Sequence, residues 1–225
     1  MTIMTCFGDS ITDCGHCFSP DFLGDGYVKM LAERFHREGY EIQMRNCGTD
    51  GFTVQRLLQR VKTDSTIIGN LAAVLIGIND IGMMMNTDRT PAQQEEMMGS
   101  FQEHYLELLT ILTKSSCSVI LMEPFVFSCP AFYENWKPLL QKMSQIIRTL
   151  SIQFRLPFLS LQKELETVLD ASGVDQDTLR CYTGKDGVNA LLQESESLTA
   201  RIQAALKTLI QQRTQEAADR FQSVT

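Results

Sequence analysis

The chain reads as an α/β protein built on a largely parallel sheet, and three observations predict it. Short strand-like apolar runs alternate with amphipathic helical stretches. The polar, glycine-bearing segments that could carry chemistry follow the strand-like runs, where parallel sheets place their ligand loops. At 225 residues, 44% apolar and 21% charged, the chain can bury one substantial core without metals or disulfides. One domain over residues 1–213 is expected, with a polar tail over 214–225 that extends the last helix or frays.

The first strand is expected over 3–7, where Ile3, Met4 and Phe7 stand in a short run before Gly8. The first long helix is expected over 27–37, with Val28, Leu31, Ala32 and Phe35 on one face. A strand over 40–45 and a helix over 53–62 follow, the latter facing inward through Val54, Leu57, Leu58 and Val61. The third strand is expected over 72–76. The longest helix, 91–114, opens on Thr90-Pro91 with Gln93 three residues after the threonine, a capping pattern. A strand over 119–123, a helix over 136–154, a strand over 157–160 and a helix over 190–212 complete the pattern. Residues 125–134 read as a loop over a site, and 170–185 as irregular chain.

Composition excludes several classes. A net charge of -7 without a basic cluster argues against nucleic acid or an anionic membrane surface as partner. No apolar run approaches the roughly 20 residues of a membrane span. The first residues lack the basic and apolar regions of a secretory leader, so a cytoplasmic location is expected. The seven cysteines stand at 6, 14, 17, 47, 117, 129 and 181, an odd and scattered set read as reduced thiols. Cys14-Gly15-His16-Cys17 resembles half a metal site, but no second ligand pair follows at metal spacing, and no metal is expected.

Three segments could carry chemistry. Phe7-Gly8-Asp9-Ser10-Ile11-Thr12-Asp13 sets a serine hydroxyl where a strand ends and a helix begins. Asn46-Cys47-Gly48-Thr49-Asp50-Gly51 follows the second strand, and Gly77-Ile78-Asn79-Asp80 follows the third. Ser10 N–H, Gly48 N–H and Asn79 Nδ2 make a candidate donor set for a tetrahedral oxyanion. Each also has a plain reading: Asp9 and Ser10 as helix caps, Gly48 and Gly51 as turn residues, Asn79 as the cap of a following turn.

With Asp186-Gly187-Val188-Asn189, these blocks in this order resemble the SGNH hydrolase family, the GDSL esterases and lipases. The resemblance implies a three-layer α/β/α sandwich, flavodoxin-like, with a five-stranded parallel sheet. It implies Ser10 as nucleophile and oxyanion donor, Gly48 and Asn79 as the other donors, and Asp186 as the residue that orients the base. It implies acyl esters as substrates, with no cofactor. The form of the blocks looks like the small-ester and carbohydrate-esterase branch, which makes O-acetylated sugars a candidate substrate.

The departure is Asn189, which occupies the position of the family's base histidine. An amide does not titrate near neutral pH and cannot take the serine proton. Loss of that base from a serine triad can cost on the order of 10⁶ in kcat, with roughly 10³–10⁴ over water surviving. His16 is a candidate replacement base, six residues after Ser10. Asp9, Asp80 and Trp136 are candidate substrate-lining residues. Asp13, Asp25, Phe132 and the methionines at 83–85 and 97–98 read as solvated, capping or packing side chains as readily as substrate contacts. Two functions stand: a serine ester hydrolase with impaired turnover, or a pseudoenzyme that binds an ester, a sugar or a protein partner.

Overall fold

The computed structural model describes residues 2–85, 88–126, 131–163 and 166. Asp186, Asn189, the helix expected over 190–212 and the tail lie outside the described residues, as do Cys129 and Cys181. Five strands form one all-parallel sheet: β1 (Thr2–Gly8), β2 (Ile42–Gly48), β3 (Leu71–Leu75), β4 (Ser118–Met122) and β5 (Phe158–Leu159). Their spatial order is β2-β1-β3-β4-β5. The helices are α1 (Ser10–Asp13), α2 (Tyr27–Arg37), α3 (Val54–Thr63), α4 (Ile78–Met85), α5 (Pro91–Lys114) and α6 (Lys137–Phe154).

Strand periodicity divides the core into two layers. Ala72, Val74, Val119 and Leu121 face a cluster built by α3, α5 and α6, with Leu57, Phe101, Tyr105, Leu108 and Ile147 at its centre. Leu71, Ala73, Leu75, Ile120 and Met122 face the opposite side, where α2 contributes Tyr27, Val28, Leu31 and Phe35. Both faces of β3 and β4 are buried, as covered parallel sheets require. Trp136 belongs to the first layer, 7% exposed and edge-on to Tyr133 at 4.8 Å. That place in the core corrects the expectation of Trp136 as a substrate-lining residue: its ring anchors the start of α6.

The expected helix starts are present. Thr90 Oγ1 accepts from Gln93 N at 3.3 Å while Gln93 Oε1 accepts from Thr90 N at 2.9 Å, closing the box that opens α5. α4 was not expected. Its first turn holds Asn79 and Asp80, residues that favour turns over helix interiors, so residues 78–80 read as a turn.

The short helix α1 lies against the carboxyl ends of β1 and β2 at a distance only glycine permits. Gly8 pairs with Gly48 across the two strands. A Cβ on Gly8 would stand 2.5 Å from Leu75 O, and one on Gly48 would stand 2.2 Å from Asp13 N. Gly48→Ala is therefore expected to lower stability by about 3 kcal/mol or more, since rigid backbone opposes the methyl. Urea denaturation of the two chains checks this, and an unchanged midpoint contradicts it.

Candidate active site

In a sheet of this order the chain reverses direction between β1 and β3, and a crevice opens there at the carboxyl ends of the strands. Ser10 and Asn79 stand on either side of it, Ser10 just beyond β1 and Asn79 just beyond β3. Asp9 caps α1: its Oδ1 accepts from Ile11 N at 3.0 Å, and its carbonyl accepts from Thr12 N and Asp13 N. Ser10 is thereby the first residue of the helix, half-buried, with its own carbonyl accepting from Cys14 N at 3.1 Å.

Asn46, buried at the end of β2, holds this helix in place. Its Nδ2 donates to Thr12 O at 2.7 Å, Asp13 O at 3.2 Å and Leu23 O at 2.8 Å. Two of these are carbonyls that a helix end leaves without partners. Asn46 Oδ1 accepts from Gly48 N at 2.9 Å. The Gly48 N–H, an expected oxyanion donor, is thus engaged by Asn46 in this arrangement. Gly51, three residues on, is exposed, adopts a left-handed φ of +69° and lines the adjoining cleft.

The second and third blocks are tied together in the same way. Asn79 Nδ2 donates to Phe52 O at 2.9 Å, which leaves its second amide hydrogen for a ligand. Asp80 Oδ2 accepts from Val54 N at 3.1 Å, capping α3 from outside the helix. Thr49 N donates to Gly8 O at 3.1 Å, and Asp50 N donates to Asp13 Oδ2 at 3.2 Å. The structure thus links the loops that carry Ser10, Asn46, Gly48, Asn79 and Asp80 through hydrogen bonds at the carboxyl ends of the strands.

His16 is not delivered to Ser10. Its Nδ1 lies 2.8 Å from Asp13 Oδ1 and its Nε2 lies 3.4 Å from Cys17 Sγ. Among the described residues, no hydrogen bond links its ring to Ser10. Asp25 is exposed and lies 3.6 Å from Lys29 Nζ. No group of three His, Cys, Asp or Glu side chains among the described residues is arranged to hold a metal ion.

Two carboxyls, those of Asp9 and Asp80, are displaced from the ordinary carboxylate range. Burial raises Asp9 to about 7, against the lowering effect of the Ile11 N–H and with a smaller push from Asp50. Burial also raises Asp80 to about 7, with the Val54 N–H opposing and Asp9 adding to it. Asp80 opens onto a cleft of about 590 Å³ between α3, α4 and α5, bordered also by Gly51, Arg56, Met97 and His104. Met83 and Met84 line it, whereas Met98 is buried in the core.

The model of the GDSL-like lipase/acylhydrolase family matches residues 6–188. The chain belongs to that family. Solved structures agree in fold. An acetylxylan esterase, Axe2 from Geobacillus stearothermophilus, has 22% identity and a TM-score of 0.61, over 75% of this chain and 80% of that one. The alpha/beta hydrolase LAE5, from the metagenome of Lake Arreo in Spain, has 21% identity and a TM-score of 0.62, over 72% and 78%. A candidate GDSL-like lipase from Parabacteroides merdae has 21% identity and a TM-score of 0.67, over 86% and 94%. No curated protein sequence matches. No helix among the described residues is long and apolar enough to cross a membrane.

The buried Asp9 carboxyl makes a pH-dependent prediction for this GDSL-family member. Its folded value is raised from 3.8 to about 7, so the neutral acid favours folding. That stability is fully present below the unfolded value and is lost as pH rises through about 7. Asn mimics the neutral acid and still accepts from Ile11 N. Asp9→Asn is expected to match the wild type near pH 4 and to exceed its stability at pH 8 by on the order of 2–4 kcal/mol. Thermal melts of both chains across that range check it. A difference independent of pH rules the assignment out.

Proposed function

We propose that this chain is a serine ester hydrolase for small acyl esters, O-acetylated carbohydrate among them, with turnover limited by its missing base. The observation that carries the reading is the placement of Ser10 just beyond β1 and Asn79 just beyond β3, on neighbouring strands at the sheet's crevice, in a chain of this family. Ser10 Oγ is the nucleophile on the acyl carbon. The developing oxyanion is held by Ser10 N–H and the second hydrogen of Asn79 Nδ2. Gly48 N–H, which Asn46 Oδ1 engages here, is the third donor of the expected set. The cleft beside Asp80 and Gly51 receives the rest of the substrate, with Met83 and Met84 giving an adaptable apolar wall.

The acid–base half is where the proposal departs from a full triad. The acetylxylan esterase of G. stearothermophilus is known in catalytic variants altered at a serine, an aspartate and a histidine three residues after that aspartate. The corresponding pattern here is Ser10, Asp186 and Asn189. Asp186 can orient a base, but Asn189 has no lone pair basic enough to act as one. His16 is engaged by Asp13 and Cys17 and does not stand in for it. Asn189 is also the feature that favours the second reading, a pseudoenzyme that binds an acyl ester or a sugar without turning it over.

Hydrolysis of p-nitrophenyl acetate separates the readings when the wild type, Ser10→Ala and Asn189→His are assayed together. The hydrolase reading expects slow wild-type turnover that Ser10→Ala abolishes. It expects a gain on the order of 10²–10⁴ in kcat for Asn189→His. Wild-type activity no greater than that of Ser10→Ala, with activity appearing only in Asn189→His, selects the pseudoenzyme.

A further inference from the structure

The turn that follows α1 assembles a second constellation that the ester chemistry leaves unused. Cys14 and Gly15 both adopt left-handed backbone, with φ of 44° and 70°, and two such residues in succession fold the chain back toward α1. His16 lands against Asp13: its N–H donates to Asp13 Oδ1 at 3.3 Å and its Nδ1 lies 2.8 Å from the same oxygen. Asp13 is itself steadied by Asp50 N on Oδ2 at 3.2 Å. A carboxylate on Nδ1 selects the tautomer that carries the proton there and leaves Nε2 as an acceptor. Nε2 faces Cys17 Sγ at 3.4 Å.

Nucleophile, base and orienting carboxylate thus stand in line. The thiols of the described residues differ sharply in their surroundings. Cys6, Cys14, Cys47 and Cys117 are buried, and burial pushes the Cys6 and Cys47 thiols up, away from the reactive form. Cys14 turns inward and donates to Ile11 O at 2.9 Å. Cys17 is the exposed thiol of this set, and its imidazole neighbour is half-buried behind it.

We propose that Cys17, with His16 as its base and Asp13 as the residue that orients His16, is a thiol-exchange site for low-molecular-weight disulfides. The Cys17 S–H proton passes to His16 Nε2 as Sγ attacks one sulfur of the disulfide. The bond between the two disulfide sulfurs breaks and a new Cys17 S–S bond forms. The departing thiolate takes the proton from the imidazolium and leaves as a free thiol. The protein gains one mixed disulfide for each disulfide consumed, with no further oxidant required. This chemistry is independent of Ser10 and of the ester reading.

The test uses the full-length reduced chain with oxidised glutathione, following adduct formation residue by residue through peptide mass mapping. Cys17 is expected to react ahead of Cys6, Cys14, Cys47 and Cys117. At pH 7, His16→Gln is expected to slow the Cys17 adduct by on the order of tenfold or more. Near pH 10, where solvent hydroxide supplies the base, the two rates should converge. Far-UV circular dichroism establishes that the variant is folded. Equal rates of Cys17 modification in the two chains at pH 7 overturn the proposal, as does a rate ratio that stays constant to pH 10. A Cys17 that lags behind the buried Cys6 or Cys47 overturns it as well.

Discussion

The close seating of a four-residue helix on two strand ends is the constraint on which the rest of this site depends. Two glycines, paired across adjacent strands, leave room for the backbone of α1, and any side chain there would occupy the same volume as Asp13 N or Leu75 O. Removing side chains only makes the approach possible. Asn46 fixes it, by donating to two carbonyls of the helix end and a third in the loop beyond. A buried amide with both ends satisfied holds its geometry firmly, because any shift strands polar groups away from water. Ser10 inherits its position from that arrangement.

Much of this was legible in the sequence, for reasons that are local. The helix at 27–37 and the helix at 91–114 are present at those bounds, since amphipathic spacing and a capping pattern are written in neighbouring residues. The all-parallel sheet follows from alternation of elements. β2 was expected over 40–45 and runs to Gly48, because pairing with β1 along its whole length outweighs the turn-like character of Asn46 and Gly48. α4 escaped notice because Asn79 and Asp80 spend their side chains on the neighbouring loop, and the helix follows from packing.

The site was legible in its residue types and less so in its donors. Ser10 and Asn79 reach the crevice by topology alone, so motif order was enough. The engagement of Gly48 N–H by Asn46 Oδ1 was not legible, because that acceptor comes from two residues away through a side chain whose direction the sequence does not state. Trp136, a candidate substrate-lining ring in the sequence, is covered by Tyr133 and the core of the first layer, a packing that local sequence does not state. The carboxyls of Asp9 and Asp80, both near neutrality in their response to pH, depend on burial that only the folded chain creates.

The hydrogen bonds that stitch the three blocks together all join residues between Gly8 and Asp80. In the proposed function the serine and its oxyanion donors thus belong to the first eighty residues, while Asp186 and Asn189 belong to a segment more than a hundred residues later. Such a division makes the two halves of the machinery separable under selection. A substitution at position 189 therefore leaves untouched the hydrogen bonds that hold the Ser10 helix in place.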